Sequence, residues 1–398
     1  MTGLDWLEAF RQQREAAGLR RSLHYRDPDH DGLLDLASND YLGLQRDPRV
    51  VAAAAEAATV WGAGSGASRL VTGSTQLHRE LEQELAAFTG TQSALVVSSG
   101  YLANLAVITA LTTPECVIVS DASNHASIID ACRLATGQTH VVAHRDPAAF
   151  AQALSQHRGT ATRDTNHLDS DHLGSDLLVT DAIFSAAGDA APVAELADLA
   201  HTSHAVLVVD EAHALGVVGQ RGQGAAAAAG LLPADDIVLT ATLSKALAAQ
   251  GGVVMGSQAV IDHLIDAARP VIFDTALAPP SVAAALAALR IVITEPDLPN
   301  RARANAAHLA ELATSMGLTV TPPDAAVVGI TIGSAHDAVQ ARDICAEHGV
   351  RVGCFRPPSV PDGQSLLRLT ARANLSEPDL ARTAAALAAV ARSLTGSS

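Results

Sequence analysis

Aromatic side chains are scarce in this 398-residue chain, with six Phe, three Tyr and two Trp, or 3% of the whole. That argues against a nucleic-acid platform built on stacked aromatics and against a β-propeller. Cysteine is scarce as well. Cys116, Cys132, Cys345 and Cys354 form no C-x-x-C pair, so neither a zinc site nor a disulfide framework is expected. Long apolar runs are missing, and none approaches the ~20 residues that span a bilayer. The N-terminal MTGLDWLEAFRQQREAAG mixes acids into its apolar residues and has no signal-peptide core. Basic residues fall short of acidic ones, 26 against 42, for a net charge of −16. A surface so acidic repels DNA, RNA and anionic membranes, and an anionic ligand then needs a local cluster of donors. The expectation is a soluble cytoplasmic protein with no metal, nucleic-acid or membrane partner. Its 48% hydrophobic content suffices for a sizeable core.

The scarcest chemistry is the amine. Of the 26 basic residues one is lysine, Lys245, and the other 25 are arginine. An Ala- and Arg-rich composition explains why lysine is rare, but not why one remains. Arginine covers lysine's charge yet stays protonated, so it cannot supply a neutral amine. A lysine that survives alone is a candidate for amine chemistry such as a Schiff base.

Along the chain, short β-rich apolar runs recur: ALVVS (94–98), CVIVS (116–120), THVVA (139–143), LLVT (177–180), AVLVVD (205–210), IVLT (237–240) and GVVMG (252–256). Ala/Leu-rich stretches of helical length separate most of them. This is the βαβ pattern of an α/β domain with a mostly parallel seven-stranded sheet covered on both faces. After about residue 280 the texture changes. Helical patterns at 280–293 and 300–316 precede apolar runs at 326–332, 350–354 and 366–370 and an Ala-rich helix at 377–395. The predicted organisation is a helix-and-strand segment over 1–45 joining the small domain, a large domain over 46–285 and a small α+β domain over 286–398. Residues 159–176, polar and without periodicity, read as a solvated insertion loop rather than a metal site.

Three runs deliver chemical residues to one sheet edge, the carboxyl ends where open α/β sheets bind ligands. Lys245 follows IVLT with Thr242 and Ser244, hydroxyls that suit a phosphate. Asp210 ends AVLVVD, with His213 three residues on; it is either a helix cap or a carboxylate facing a pyridine nitrogen. His125 follows CVIVS. Ser99, Gly100 and Tyr101 open a helix whose amides offer an anion site.

With these residues in view the chain resembles the α-oxoamine synthases, pyridoxal 5'-phosphate (PLP) enzymes of the aspartate aminotransferase-like fold, fold type I. The motifs that carry the likeness run nearly end to end: LDLASNDYLGL (34–44), GSGASRLVTGSTQLHRELE (64–82), SSGYLAN (98–104), NHASI (124–128), TDAIFSAAGDAAP (180–192), VDEAHALGVVG (209–219), TLSKALAAQGG (242–252), FDTALAPP (273–280), FRPPSVP (355–361) and LRLTARA (367–373). The RPPSVP segment is similar to the branch that condenses L-alanine with a pimeloyl thioester in biotin synthesis.

The resemblance implies a role for each matching residue. Lys245 would carry PLP as a Schiff base, and Asp210 would pair with the pyridine nitrogen. His213 and Ser185 would bond the ring's phenolic oxygen, and His125 would stack on the ring. Gly100, Tyr101 and Thr242 would bind the phosphate. Thr275 would reach the phosphate of a neighbouring subunit, which implies a homodimer with active sites at the subunit interface. Arg368 would clamp the amino-acid carboxylate, Arg20 and Ser359 would contact substrate, and Arg356 and Asn39 would lie near them. Four positions depart from the family's habit: FSAAGD replaces FSMDGD, with Ala186 and Ala187 for its Met and Asp, Ala248 stands for glycine, and Asp181 for glutamate. A glycine C-acyltransferase such as 2-amino-3-ketobutyrate CoA ligase is the same-fold alternative, and an aminotransferase or a PLP-binding regulator the alternatives of other classes.

Overall fold

In the computed structural model, which describes residues 2–27, 32–160 and 174–395, every apolar run of the sequence becomes a strand. The first strand, β1, is Leu34–Leu36. Seven more follow as β2 (Ser93–Val97), β3 (Val117–Asp121), β4 (Gln138–Val142), β5 (Leu177–Asp181), β6 (Val206–Asp210), β7 (Ile237–Thr242) and β8 (Gly252–Gly256). The last four are β9 (Thr319–Val320), β10 (Val327–Gly333), β11 (Val350–Phe355) and β12 (Ser365–Thr370).

The chain divides into two units, residues 40–185 with 190–300 and residues 1–39 with 186–189 and 301–398. The larger unit holds the seven-stranded sheet in the order β2-β8-β7-β6-β5-β3-β4. β8 runs antiparallel to both its neighbours, and the remaining pairings are parallel. The reason lies in the connections. Helices of nine or more residues link most of the parallel strands, whereas only the turn around Lys245 lies between β7 and β8 and cannot make a crossover. β3, β5 and β7 are buried along their whole length, as strands covered on two faces must be. β4, at the sheet edge, is partly exposed.

The smaller unit holds a five-stranded sheet, β1-β11-β12-β10-β9, with β1 parallel to β11. Its core joins Leu34 and Leu36 to Leu309, Ile330, Val350, Leu369 and Leu387. The terminal helix Glu377–Thr395 opens with Ser376 and Asp379 bonding each other's backbone amides, a capping pair at the acidic helix start.

The structure corrects the domain limits. A division at 285/286 would cut the helix Pro279–Thr294, and the units part instead at 300/301. That helix buries ten residues and packs on the helices Pro48–Trp61 and Gln76–Thr89 of the large unit, so it cannot leave with the small one. At the front, the division falls after Asn39 rather than after residue 45. The 159–176 loop lies mostly outside the described residues; Gly159 and Thr160 end the helix Pro147–Thr160, and Asp176 accepts the Val117 amide at 2.9 Å.

Candidate active site

Register places the chemistry. Asp181 of β5 pairs with Asp210 of β6, Asp210 with Thr240 of β7, and Thr242 with Gly252 of β8. The carboxyl ends of the parallel strands therefore finish in one row. His125 follows β3 and caps the helix Ala126–Leu134, so its structural and chemical readings hold together. Thr242 is the last residue of β7 rather than part of the turn.

Lys245 is half-buried on that turn, and its Nζ lies 2.8 Å from His213 Nε2. The other imidazole nitrogen, Nδ1, lies 2.5 Å from the Tyr41 hydroxyl. Ala248 closes the Lys245 turn by donating its amide to the Lys245 carbonyl at 3.0 Å. It does so at φ 54°, in the left-handed region that favours glycine. The departure from the family's glycine thus falls at a position that strains an alanine.

Asp210 is buried. Its Oδ1 accepts the Ala212 amide at 2.9 Å, so it closes a local turn and does not cap a helix. Its Oδ2 accepts Asn104 Nδ2 at 2.7 Å. Asn104 is the hub of the site. Its Nδ2 also donates to Ser127 Oγ at 2.8 Å, and its Oδ1 accepts the Thr240 hydroxyl at 2.6 Å. Ser127 Oγ lies 2.7 Å from His125 Nδ1, which also accepts the Ser127 amide at 3.2 Å. An amide can only donate, so Nδ1 is the bare nitrogen and the proton of a neutral His125 sits on Nε2. Asp181 accepts the His125 amide at 2.9 Å; burial, reinforced by the charge of Asp210, pushes its carboxyl well above the usual range. Next to Asp210, the buried Glu211 accepts the Ala225 and Ala226 amides at 2.8 Å each, and burial pushes it up to about 7.

The phosphate group of residues meets at the start of the helix Gly100–Ala110. A Cβ on Gly100 would lie 3.0 Å from Thr242 Cβ, and one on Gly252 would lie 2.2 Å from the Ser99 carbonyl. Glycine at both places lets the first helical amides stand directly over the end of β7. Thr242 Oγ1 pairs with Ser244 Oγ at 2.6 Å and donates to the Gly251 carbonyl at 3.0 Å. Tyr101 is exposed and hydrogen-bonds Asp130. Ser185 lies four residues beyond the end of β5, half-buried. Thr275 is exposed and its backbone bridges Ser68. The segment around it is pinned by Ser65 Oγ and His78 Nε2, which reach the Leu277 carbonyl at 2.7 and 3.0 Å.

The remaining residues belong to the smaller unit. Arg368 is buried on β12, stacks 4.5 Å above the Phe355 ring, and donates Nη2 to Asn39 Oδ1 at 3.0 Å. Arg356 holds the Gly18 and Arg20 carbonyls. The Arg20 side chain pairs with Glu15 at 3.3 Å. Ser359 is exposed and donates its amide to the Arg356 carbonyl at 3.0 Å. Sequence reasoning assigned no role to Tyr41, Asn104 or Ser127; each stands inside one of the quoted motifs, LDLASNDYLGL, SSGYLAN and NHASI, and that was the available signal.

Residues 31–387 match the family described as aminotransferase class I and II. The chain belongs to that family, in its α-oxoamine synthase branch. The 8-amino-7-oxononanoate synthase of Mycobacterium sp. (strain JLS) is 52% identical over 380 residues, 96% of this chain and 94% of that protein. The enzyme of the same name from Mycobacterium tuberculosis (strain ATCC 25177 / H37Ra) is 49% identical over 377 residues, covering 95% and 92%. Among solved structures, SPT with PLP superposes with a TM-score of 0.88 at 28% identity, covering 98% of each chain. The 8-amino-7-oxononanoate synthase of Francisella tularensis does so with a TM-score of 0.75 at 26% identity, over 92% of this chain and 99% of that one. This α-oxoamine synthase therefore has the fold type I architecture, and its cofactor is PLP. The residues present fit that group: the Lys245 amine, the buried Asp210 carboxylate, and a glycine-cleared helix start at a single sheet edge.

Proposed function

We propose that the protein joins L-alanine to the pimeloyl group of a thioester carried by CoA or a carrier protein. The products are 8-amino-7-oxononanoate, the free thiol and carbon dioxide, which makes the protein an acyltransferase of biotin synthesis. The observation that carries the reading is the lone amine of Lys245, 2.8 Å from His213 and beside the carboxylate row of β5 and β6. The 52% identity to a synthase of that name supports the substrate assignment.

Bound PLP supplies an aldehyde that condenses with amines and a ring that takes up the electron pair left when a bond at Cα breaks. The chain's residues do the rest. Lys245 would anchor the cofactor and, as a neutral amine, would take the Cα proton of alanine as general base. Asp210, which accepts the Ala212 amide and Asn104 Nδ2, would face the pyridine nitrogen and hold its proton there. The Gly100 and Tyr101 amides with Thr242 would bind the phosphate, and His213 with Ser185 would bond the phenolic oxygen. His125 would stack on the ring and, with its proton on Nε2, would present Nε2–H to the acyl carbonyl. Arg368 orients the alanine carboxylate with Asn39 beside it, and Arg20, Arg356 and Ser359 contact the acyl substrate. The Cα–C bond to the acyl carbon forms as the thiolate leaves; the original carboxylate then departs as carbon dioxide, and a proton returns to Cα.

The reading includes a homodimer in which Thr275 serves the partner's phosphate, supported by its exposure on a pinned segment. It also places the enzyme in the cytoplasm: all four cysteines are free, and no helix among the described residues is long and apolar enough to cross a membrane. The test is thiol release from pimeloyl-CoA with alanine, with glycine and with no amino acid, followed by the mass of the product. Alanine-dependent release with the 8-amino-7-oxononanoate mass is expected. A preference for glycine, or a keto acid formed without thiol release, would overturn the reading.

A further inference from the structure

Tyr41 is fully buried, although its hydroxyl is polar. It stands in a loop that closes on itself, because Asp40 Oδ1 accepts the Leu44 amide at 2.8 Å and the Asp40 carbonyl accepts the Gly43 amide at 3.1 Å. The hydroxyl is therefore delivered by a fixed backbone and meets His213 Nδ1, 172 residues away in sequence, at 2.5 Å. The rings stand 6.0 Å apart and tilted by 55°, so the contact is made by the polar atoms and not by stacking. Tyr41, His213 and Lys245 form one file, with the imidazole in the middle.

The chemistry of that file decides what Tyr41 is for. A neutral imidazole has one donor and one acceptor nitrogen, so fixing one fixes the other. An ammonium at Lys245 can only donate, which makes Nε2 an acceptor, leaves the proton on Nδ1, and requires the tyrosine oxygen to accept. An oxygen anion in front of Nε2 can only accept, which requires Nε2–H, a bare Nδ1, and a tyrosine O–H that donates. A hydroxyl serves both states by rotating its hydrogen, with no heavy atom moved. A carbonyl, a carboxylate or an amide N–H at the same place would serve one state only.

We propose that Tyr41 is the positioning residue of His213, its hydroxyl alternating between acceptor and donor so that Nε2 serves first the Lys245 ammonium and then the phenolic oxygen of the cofactor. This rests on the reading of the site as a PLP site with Lys245 as its amine.

The experiment is ¹⁵N NMR of imidazole-labelled protein, cofactor-free and loaded with PLP, for wild type and Tyr41→Phe, with His213 assigned through His213→Gln. Cofactor-free wild type should show His213 protonated on Nδ1, and loading should exchange the protonated and bare nitrogens. In Tyr41→Phe the Nδ1 resonance should move in the cofactor-free protein, and loading should no longer exchange the two cleanly. Loss of one hydrogen bond should weaken PLP binding by about two- to tenfold. In the His213→Gln background the Tyr41→Phe change should alter PLP binding less than about twofold, as required of residues that act through one another. An unchanged Nδ1 resonance, a wild-type exchange in Tyr41→Phe, or the same penalty in both backgrounds would overturn the proposal. Borohydride reduction separates this from failure of the wider reading. If no PLP is fixed to Lys245, the PLP reading fails, while the cofactor-free spectra still decide whether Tyr41 governs His213.

Discussion

Asn104 should be among the most costly side chains to remove from this protein, and the cost can be worked from its contacts. It is buried and makes three side-chain hydrogen bonds: to the Asp210 carboxylate, to Ser127 and from Thr240. Thr240 and Ser127 are themselves buried, so Asn104→Ala strands the Thr240 hydroxyl, leaves the Ser127 hydroxyl with His125 alone, and removes one donor from a buried carboxylate. A hydrogen bond to a charged group contributes ~1.5–3 kcal/mol and a neutral one ~0.5–1.5, giving about 2.5–6 kcal/mol for the set. Asn104→Asp should be worse although it keeps the volume, because it turns an oxygen toward Asp210 where a donor stood. Urea unfolding of the cofactor-free protein measures both, since bound cofactor would add its own stabilisation. Losses below about 1 kcal/mol for both variants would refute the hub.

Two further predictions follow from single positions. Ala248 sits at φ 54°, so Ala248→Gly should relieve left-handed strain and raise the free energy of unfolding by about 1 kcal/mol; a lower value would contradict the reading. His78 is fully buried, and burial, with the charge of Arg69 adding to it, pushes its pKa down to about 4. The unfolded chain then binds more protons than the native one between pH 6.5 and 4. The stability tied to neutral His78 is thus complete above pH 6.5 and lost as pH falls through 4, by about 3 kcal/mol in all. Glu211, pushed up to about 7, acts with the opposite sign. The quantity to measure is therefore the difference between wild type and His78→Gln, which should shrink as the pH is lowered over that window; a constant difference would refute the assignment.

The seven apolar runs became the strands of the large sheet because strands buried on both faces must be apolar without interruption, and that is visible in any one of them. The direction of β8 was less legible, since it depends on the shortness of the link from β7. The end of the large unit was misplaced because the helix Pro279–Thr294 is apolar on most sides, and sequence does not say which neighbour covers it. Lys245, Asp210 and His125 could be placed at one edge because each stands at or just past a strand's end and strand ends share an edge. Tyr41 and Asn104 could not be given roles, since their partners His213 and Asp210 lie 172 and 106 residues away. A polar residue inside an apolar element shows that something must satisfy it, not what does.

The central claim is that Lys245 works as an amine and not as a charge. Lys245→Arg keeps the charge, nearly keeps the reach, and cannot present a neutral nitrogen near pH 7. The most direct measurement is alanine-dependent thiol release from pimeloyl-CoA by purified Lys245→Arg, set beside wild type. The account predicts no release above background from the variant, because no other side chain in the sequence can take over from the single lysine. Release at the wild-type rate would make that lysine an accident of composition and would contradict the account.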